Sequence, residues 1–337
     1  MEYRKLGATG VEVSKLTLGA MMFGAWGNPD HADGIRIIHA ALDVGINVVD
    51  TADVYSQGEN EEIVGKALAG RRDEVVLATK FHGKMGDGPN RSGNSRRWIV
   101  QEVEASLTRL NTDWIDIYQA HRSDPQTDID ETLGALTDLV RQGKVRYLGV
   151  STGHASDPVE LQWSGWRMVE SLWVGERKGS ERFISTQPPY SIFSRDVERE
   201  IFPVCERFGF GAIVWSPLEG GWLAGRYRKG QPPPPDSRAA NDTEFGHFVR
   251  DNFTLDSPRG QQRLEIVDEL VRMADELNVS LAAYATAWVL RHQAVSAAIV
   301  GPRVSRHLDA SFEALGVRIP DAHLARIDEL VAPGSRL

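Results

Sequence analysis

The sequence predicts a (β/α)₈ barrel, and two observations support this fold class. Short apolar runs rich in β-branched residues alternate with longer amphipathic stretches along nearly the whole chain. Most of these runs lack a polar/apolar alternation, which is typical of parallel strands that are buried on both faces. Eight strand–helix units in strict alternation favour a closed barrel, with a doubly wound open sheet as the alternative.

The predicted elements follow one another in chain order. Eight runs are expected to form the barrel strands: Lys15–Gly19, Asn47–Asp50, Val75–Lys80, Ile115–Gln119, Tyr147–Ser151, Phe183–Gln187, Gly211–Trp215 and Ala297–Gly301. Helical patterns lie between and after them: Gly34–Val44, Asn60–Ala69, Ser95–Leu110, Asp130–Gln142, Pro158–Arg177, Val197–Phe208, Gln261–Leu277, Ser280–Arg291, Ser305–Leu315 and Asp321–Val331.

Two segments fall outside the repeating units. Tyr3–Leu6 and Val11–Ser14 flank a turn and predict a hairpin, which is expected to plug the N-terminal end of the barrel. The segment after Trp215 contains Gly220-Gly221 and the run Pro232–Pro235. It is too long for an ordinary connection, so we interpret it as a functional loop after the seventh strand.

The composition is that of an ordinary soluble globular protein, with 41% hydrophobic and 25% charged residues. Barrels often fill a length of 337 residues as one domain, so we expect a single domain over residues 1–337. The net charge of −9 without a basic stripe argues against a nucleic-acid partner. No apolar run reaches the roughly 20 residues that span a membrane. The lone Cys205 and an N-terminus without a signal-peptide core predict a cytoplasmic protein.

Ionisable residues recur where the predicted strands end, which is where barrels of this type build their active sites. Asp50 and Lys80 end the second and third runs, His121 follows the fourth, and Tyr55 lies in the loop after the second. Each residue alone has an ordinary interpretation, as a cap, a solvated charge, a satisfied histidine or a packed ring. Their occurrence together on adjacent strands favours a catalytic group.

The chemistry of this group is coherent. A free tyrosine has a pKa of about 10, which is too high for efficient proton exchange at neutral pH. A buried ammonium from Lys80 is expected to lower the pKa of Tyr55, and Asp50 is expected to supply the counter-charge. With His121 holding the substrate oxygen, the four residues predict a proton donor and an oxyanion site for a carbonyl group.

The segments that carry these residues resemble the aldo-keto reductase family. Val44–Tyr55 resembles the family's aspartate and tyrosine signature, Ala78–Lys80 its lysine strand and Ile115–His121 its histidine strand, while Lys144–Ser151 and Trp215–Leu218 match later blocks. The likeness runs from the first strand to the last helix. Within the family, Ser180–Phe183, Gln187–Ser191 and the long loop resemble the long-chain bacterial and channel-β-subunit-like branches.

The resemblance implies reduction of an aldehyde or ketone to an alcohol, with NADPH as the cofactor and NADH as the alternative. Tyr55 would be the general acid, Lys80 and Asp50 its tuning pair, and His121 the residue that orients the carbonyl group. Further positions are implied to contact the cofactor: Gly19 and Met21 beside the pocket, Ser151, Thr152 and Gln187 at the carboxamide, Trp215 on the nicotinamide ring, and Ser216, Leu218, Gly220 and Arg226 along the pyrophosphate.

The adenosine end of the cofactor is implied to lie at Gly301-Pro302-Arg303, where a helix N-terminus and an arginine suit a phosphate. The sequence departs from the commoner family pattern at His307, Ala310 and Ser311, of which His307 is still expected to contact the cofactor. The last two normally contact adenine, so their change bears on cofactor affinity and on the preference for NADPH.

Some alternatives stay open. Trp26, His82 and Trp222 are candidates for the walls of the substrate pocket, although aromatic residues in barrels more often serve packing. Gly149–Gly153 matches the G-x-S-x-G elbow of hydrolases, but that interpretation leaves the four strand-end residues unexplained. The sequence has no H-E-x-x-H motif or cysteine cluster, so no metal is expected. An alternative function is that of an NADP(H)-bound sensor or binding subunit with weak or vestigial reductase activity. The sequence names neither the substrate nor the oligomeric state.

Overall fold

The structure is a computed structural model that describes residues 1–153, 158–235, 237, 240, 254–302, 304 and 307–337. The chain divides into two compact units. The first unit comprises Met1–Pro189, Glu200–Trp215 and Ala294–Ser305, and the second comprises Tyr190–Arg199, Ser216–Gln293 and Arg306–Leu337. A single domain over residues 1–337 stays a prediction.

The first unit contains a closed barrel of eight parallel strands. The strands are β3 (Leu16–Gly19), β4 (Val48–Asp50), β5 (Val76–Phe81), β6 (Ile115–Ala120), β7 (Val145–Ser151), β8 (Phe183–Gln187), β9 (Gly211–Val214) and β10 (Val295–Val300). Each pairs with the next in chain order, and β10 pairs with β3 to close the sheet. The predicted barrel is confirmed, and the open-sheet alternative is wrong.

The predicted N-terminal hairpin is also confirmed. Strands β1 (Tyr3–Lys5) and β2 (Glu12–Ser14) pair antiparallel. Leu6 and Val13 of the hairpin are fully buried in one apolar cluster with residues that the barrel strands contribute: Val48, Ala78, Ile117, Ile213 and Ala297. The hairpin therefore covers the N-terminal end of the barrel with apolar side chains, as expected of a plug.

In the first unit, helices alternate with the barrel strands along the chain. They are α1 (His31–Asp43), α2 (Glu59–Leu68), α3 (Arg96–Leu110), α4 (Ile129–Arg141), α5 (Gly165–Lys178) and α6 (Ile201–Phe208). Their starts follow local capping chemistry. A carboxylate oxygen of Asp30 accepts from the Asp33 amide at 3.0 Å, and the Ser95 hydroxyl accepts from the Trp98 amide at 3.3 Å.

One predicted helix is wrong as drawn. The pattern Pro158–Arg177 predicts a continuous helix, but the structure has a short 3₁₀ helix at Val159–Leu161 and begins α5 only at Gly165. Between them Trp163 is buried against the ring of Phe183, with centroids 5.3 Å apart. Burial of this indole competes with helix continuation and interrupts the periodic pattern.

The second unit is helical in its described part. It contains a 3₁₀ helix at Glu219–Ala224 and helices α7 (Pro258–Glu276), α8 (Leu281–Leu290), α9 (His307–Glu313) and α10 (Asp321–Leu330). These helices lie where the sequence pattern predicts them. Of the predicted long loop, residues 236, 238–239 and 241–253 lie outside the described residues.

The strand register places the expected site at one end of the barrel. Asp50 pairs with Gly19 and Ala78, Lys80 pairs with Gln119, and Ser151 pairs with Gln187. Since neighbouring residues on parallel strands lie at the same height, the C-terminal strand ends bring these polar side chains together.

Candidate active site

Lys80 lies at the centre of the site. Its side chain is 0% exposed, and its ammonium donates to Asp50 Oδ2 at 2.6 Å, to the Thr51 carbonyl oxygen at 2.7 Å and to Tyr55 Oη at 3.2 Å. An ammonium has three N–H donors, so all three have partners here. Burial lowers the pKa of Lys80, but Asp50 and then Tyr55 more than offset that effect, and the pKa is raised overall. Lys80 is therefore a buried cation at neutral pH.

Asp50 is held from the other side by two amides. Gln187 Nε2 donates to Asp50 Oδ1 at 2.7 Å, and Gln119 Nε2 donates to the same oxygen at 3.1 Å. The sequence prediction did not include Gln119. The signal for it is the strand period of two, because Gln119 lies two residues before His121, which directly follows β6, and so is expected on the same side of the sheet.

Tyr55 begins an unusual turn in the loop that follows β4. The turn spans Tyr55–Gly58, and Ser56 (φ 48°), Gln57 (φ 54°) and Gly58 (φ 95°) are all in the left-handed region. Two consecutive residues other than glycine in this region cost free energy, so the surrounding contacts must hold them there. The Ser56 hydroxyl accepts from the Trp26 amide at 3.1 Å.

The pKa of Tyr55 differs from the expectation. Burial raises it above the ordinary value, and Lys80 acts in the opposite, predicted direction without reversing the shift. The predicted net lowering is therefore wrong, because desolvation of the phenolate outweighs the attraction to the ammonium. Since the ammonium is the donor in the contact between them, that contact does not use the phenol proton.

His121 faces the tyrosine across the site. The two ring centroids are 5.9 Å apart and the planes meet at 79°. Burial, followed by the positive charge of Lys80, lowers the pKa of His121 well below its usual value. The imidazole is therefore neutral at pH 7 and can donate one N–H without adding charge.

Four implied cofactor residues lie together at the ends of the next strands. Trp215 Nε1 donates to the carbonyl oxygens of Gln187 at 3.1 Å and Thr152 at 3.2 Å. The Ser151 hydroxyl donates to the Gln187 carbonyl at 3.3 Å, and the Thr152 hydroxyl donates to the Trp163 carbonyl at 3.0 Å. These bonds fix the plane of a half-buried indole beside two hydroxyl groups.

The remaining expected cofactor residues are dispersed in the chain. Gly19 is buried where β3 ends, and a Cβ there would lie 2.6 Å from Ile299 Cγ2; Met21 follows half-buried. Ser216, Leu218, Gly220 and Arg226 belong to the second unit, each half-buried, and His307 is the exposed first residue of α9. Gly301 is exposed in the first unit, whereas Arg303 lies outside the described residues. The roles of these residues stay predictions.

The three candidate pocket residues have different surroundings. Trp26 packs on Tyr55, with centroids 5.9 Å apart. His82 Nδ1 is 2.9 Å from Asn94 Oδ1, and burial lowers the pKa of the imidazole. Trp222 is 1% exposed and packs on Tyr227 within the second unit, with centroids 5.2 Å apart. Its burial favours the packing interpretation, and its place in a pocket stays a prediction.

Two kinds of feature are absent from the described residues. In that part of the chain, no group of three or more histidine, cysteine, aspartate or glutamate side chains is arranged to hold a metal ion. None of the helices described is both long and apolar enough to cross a membrane.

Comparison with known proteins identifies the family. The model of the aldo/keto reductase family matches residues 15–332. A probable voltage-gated potassium channel subunit beta of Oryza sativa subsp. japonica is 35% identical, with 94% of this chain and 92% of that protein covered. An uncharacterized oxidoreductase of Bacillus subtilis, YrpG, is 34% identical over 99% of this chain and 97% of its own length. Versiconal hemiacetal acetate reductase of Aspergillus parasiticus is 32% identical, with coverage of 99% and 98%. The chain belongs to the aldo/keto reductase family.

Proposed function

We propose that the protein reduces an aldehyde or ketone to an alcohol with NADPH, and that Tyr55 donates the proton to the carbonyl oxygen. The contact that supports this most is the one between a fully buried ammonium and the phenol, with Lys80 Nζ 3.2 Å from Tyr55 Oη and 2.6 Å from Asp50 Oδ2. An ion pair that served stability alone would not require the hydroxyl of a tyrosine next to it.

The residues around Trp215 suit a nicotinamide ring. The indole plane is fixed through Nε1 and the ring stays half-buried, which suits stacking on an aromatic ring of a cofactor. Ser151 and Thr152 keep oxygen lone pairs as acceptors for a carboxamide, because their hydroxyl protons are used within the protein. When bound, NADPH supplies the hydride that adds to the carbonyl carbon.

The protein's own part in the reaction is to stabilise and protonate the oxygen. A carbonyl oxygen between Tyr55 and His121 would accept a hydrogen bond from the neutral imidazole and another from the phenol. As negative charge develops on that oxygen, the phenol proton moves to it, and the tyrosinate formed lies beside the Lys80 ammonium. The raised pKa of Tyr55 keeps the phenol protonated, as a general acid requires at neutral pH.

The relatives also motivate a second candidate function. Two of those we compared are named as probable potassium channel β subunits, from Oryza sativa and Arabidopsis thaliana. A protein of that kind would hold NADP(H) as a sensor or binding subunit, and its turnover of carbonyl compounds would be weak.

A cytoplasmic location and a preference for NADPH over NADH remain part of our proposal.

NADPH oxidation with a panel of aldehydes and ketones separates the two functions. The reductase proposal expects turnover of at least one carbonyl compound, with Tyr55→Phe strongly impaired and its cofactor affinity retained. A parallel series with NADH tests the cofactor preference. Tight NADPH binding without turnover of any compound would favour the sensor function and contradict our proposal.

A further inference from the structure

A second polar cluster, formed by two buried glutamates around a largely buried arginine, lies behind Tyr55 and Lys80, on the outer side of the barrel. Arg109 of α3 is its centre. Its Nε donates to Glu61 Oε2 of α2 at 2.7 Å, and one of its terminal nitrogens donates to Glu102 Oε1 at 2.5 Å and to the Ser106 hydroxyl at 3.2 Å. The side chain of Glu61 is 0% exposed. A guanidinium held by two buried carboxylates has a fixed position.

Arg109 is packed directly against the turn that carries Tyr55. A Cβ placed on Gly58 would lie 2.8 Å from Arg109 Cδ and 3.1 Å from Nε, so the arginine stem covers the backbone of this glycine. Gly58 ends the left-handed turn that Tyr55 begins. Backbone in this region persists only where neighbouring groups hold it, and the stem of Arg109 is such a group.

The same cluster reaches the lysine through its strand. Glu61 Oε1 accepts from the Thr79 hydroxyl at 2.5 Å. Thr79 directly precedes Lys80 on β5, and successive side chains of a strand point to opposite faces. Thr79 therefore anchors the outer face of β5 while Lys80 points to the inner face, where it meets Tyr55.

We propose that Arg109 is a positioning residue for the proton donor, setting the placement of Tyr55 against Lys80 through Gly58 on one side and through Glu61 and Thr79 on the other. This inference rests on the proposed reductase function. A small displacement of the phenol changes proton transfer strongly, because the reacting atoms must lie within hydrogen-bond reach. The alternative is a purely structural role, in which Arg109 stabilises the packing of α2 against α3 and has no effect on Tyr55.

Arg109→Lys is the informative variant. It keeps the positive charge between two buried carboxylates and an apolar stem beside Gly58, but it removes the planar fork and the Nε bond to Glu61 that hold the stem in place. Arg72→Lys is its matched control. Arg72 is similarly buried, pairs with Asp116 Oδ2 at 2.6 Å and donates to the carbonyl oxygens of Val75 and Trp114, where strands β5 and β6 begin. Arg72 therefore acts on β5, as the Arg109 cluster does, but at the end of the strand away from Tyr55.

Steady-state kinetics separates positioning from general stability. We expect Arg109→Lys to lower kcat on the order of tenfold or more, with KM for the carbonyl compound and Kd for NADPH within about twofold of wild type. Arg72→Lys should leave kcat within about twofold of wild type, even if it lowers the midpoint of unfolding as much as Arg109→Lys does. Equal losses of kcat in the two variants, or a loss in Arg109→Lys that falls on KM and Kd instead, would overturn the inference.

Amide hydrogen exchange provides a readout that does not need turnover. In Arg109→Lys the amides of residues 55–59 should exchange roughly tenfold faster or more, and in Arg72→Lys they should be unchanged. Unchanged exchange of this segment in Arg109→Lys would overturn the inference. This result does not depend on turnover, whereas a wild type that reduces no carbonyl compound would refute the proposed function instead. If Arg109→Lys does not fold, Thr79→Val replaces it as the test, because it removes the hydroxyl bond to Glu61. We expect this variant to have a lower kcat and an unchanged KM. An unaltered kcat would overturn the role of the cluster.

Discussion

Lys80→Met is the perturbation that tests the buried pair at the centre of the site. Methionine keeps much of the apolar stem and removes the ammonium together with its bonds to Asp50, Thr51 and Tyr55. Asp50 then remains a buried carboxylate whose side-chain partners, among the residues that the structure describes, are the amides of Gln119 and Gln187. Removing one member of a buried ion pair costs about 3–5 kcal/mol, so the free energy of unfolding should fall by about that amount.

The assay is urea unfolding followed by tryptophan fluorescence, run as a double-mutant cycle with Asp50→Asn. The double variant has no unpaired charge, so it should recover about 1–3 kcal/mol relative to the sum of the single changes. A loss below about 1 kcal/mol for Lys80→Met, or strict additivity in the cycle, would show that the two groups do not form a buried pair and would refute the reasoning.

The pH dependence of this difference has a definite sign. Asp50 and Tyr55 outweigh the effect of burial and raise the pKa of Lys80 in the folded protein. A cation with a raised pKa stabilises the fold at all pH values below its unfolded pKa and loses that contribution as the pH rises through the folded one. The gap between wild type and Lys80→Met should therefore be constant from about pH 7 to about pH 9 and shrink only above about pH 10.5.

Two further predictions concern stability. Gly65→Ala should cost about 1–3 kcal/mol in urea unfolding, since its Cβ would lie 2.6 Å from the backbone oxygen of Leu110, whereas Gly10→Ala, with no atom within 4 Å, should change it by less than about 1 kcal/mol. Burial and two neighbouring glutamates raise the pKa of Asp53 well above its usual value, so wild type should lose about 1.4 kcal/mol per pH unit above about pH 4 until Asp53 ionises. Asp53→Asn should remove that slope, and an identical slope in both proteins would contradict the assignment.

The sequence was sufficient for the barrel because its signals are local and repeated. Buried parallel strands have uninterrupted apolar runs, and polar residues at the ends of strands stand out against them. Asp50 and Lys80 could therefore be placed at one end before their contact was known. Trp163 shows where this approach ends, because its burial interrupts a periodic helix pattern and depends on an aromatic partner, Phe183, some twenty residues away.

The details of the site depend on contacts that no local pattern contains. Gln119 looks like one more strand residue until its amide is seen to meet Asp50. The left-handed turn at Ser56 and Gln57 contradicts the usual preference of such residues. The direction of the pKa shift of Tyr55 depends on how strongly burial competes with Lys80, which requires the geometry of both.

Tyr55→Phe, with Tyr118→Phe as its control, tests the central claim most directly. Tyr118 is fully buried on β6, and among the described residues its hydroxyl has no hydrogen-bond partner, so losing that hydroxyl should leave kcat unchanged. In Tyr55→Phe we predict that kcat for carbonyl reduction falls on the order of 10²–10⁴-fold while Kd for NADPH stays within about twofold, because the phenol acts in the transition state. Near-full turnover in Tyr55→Phe, or an equal loss in Tyr118→Phe, would contradict the account.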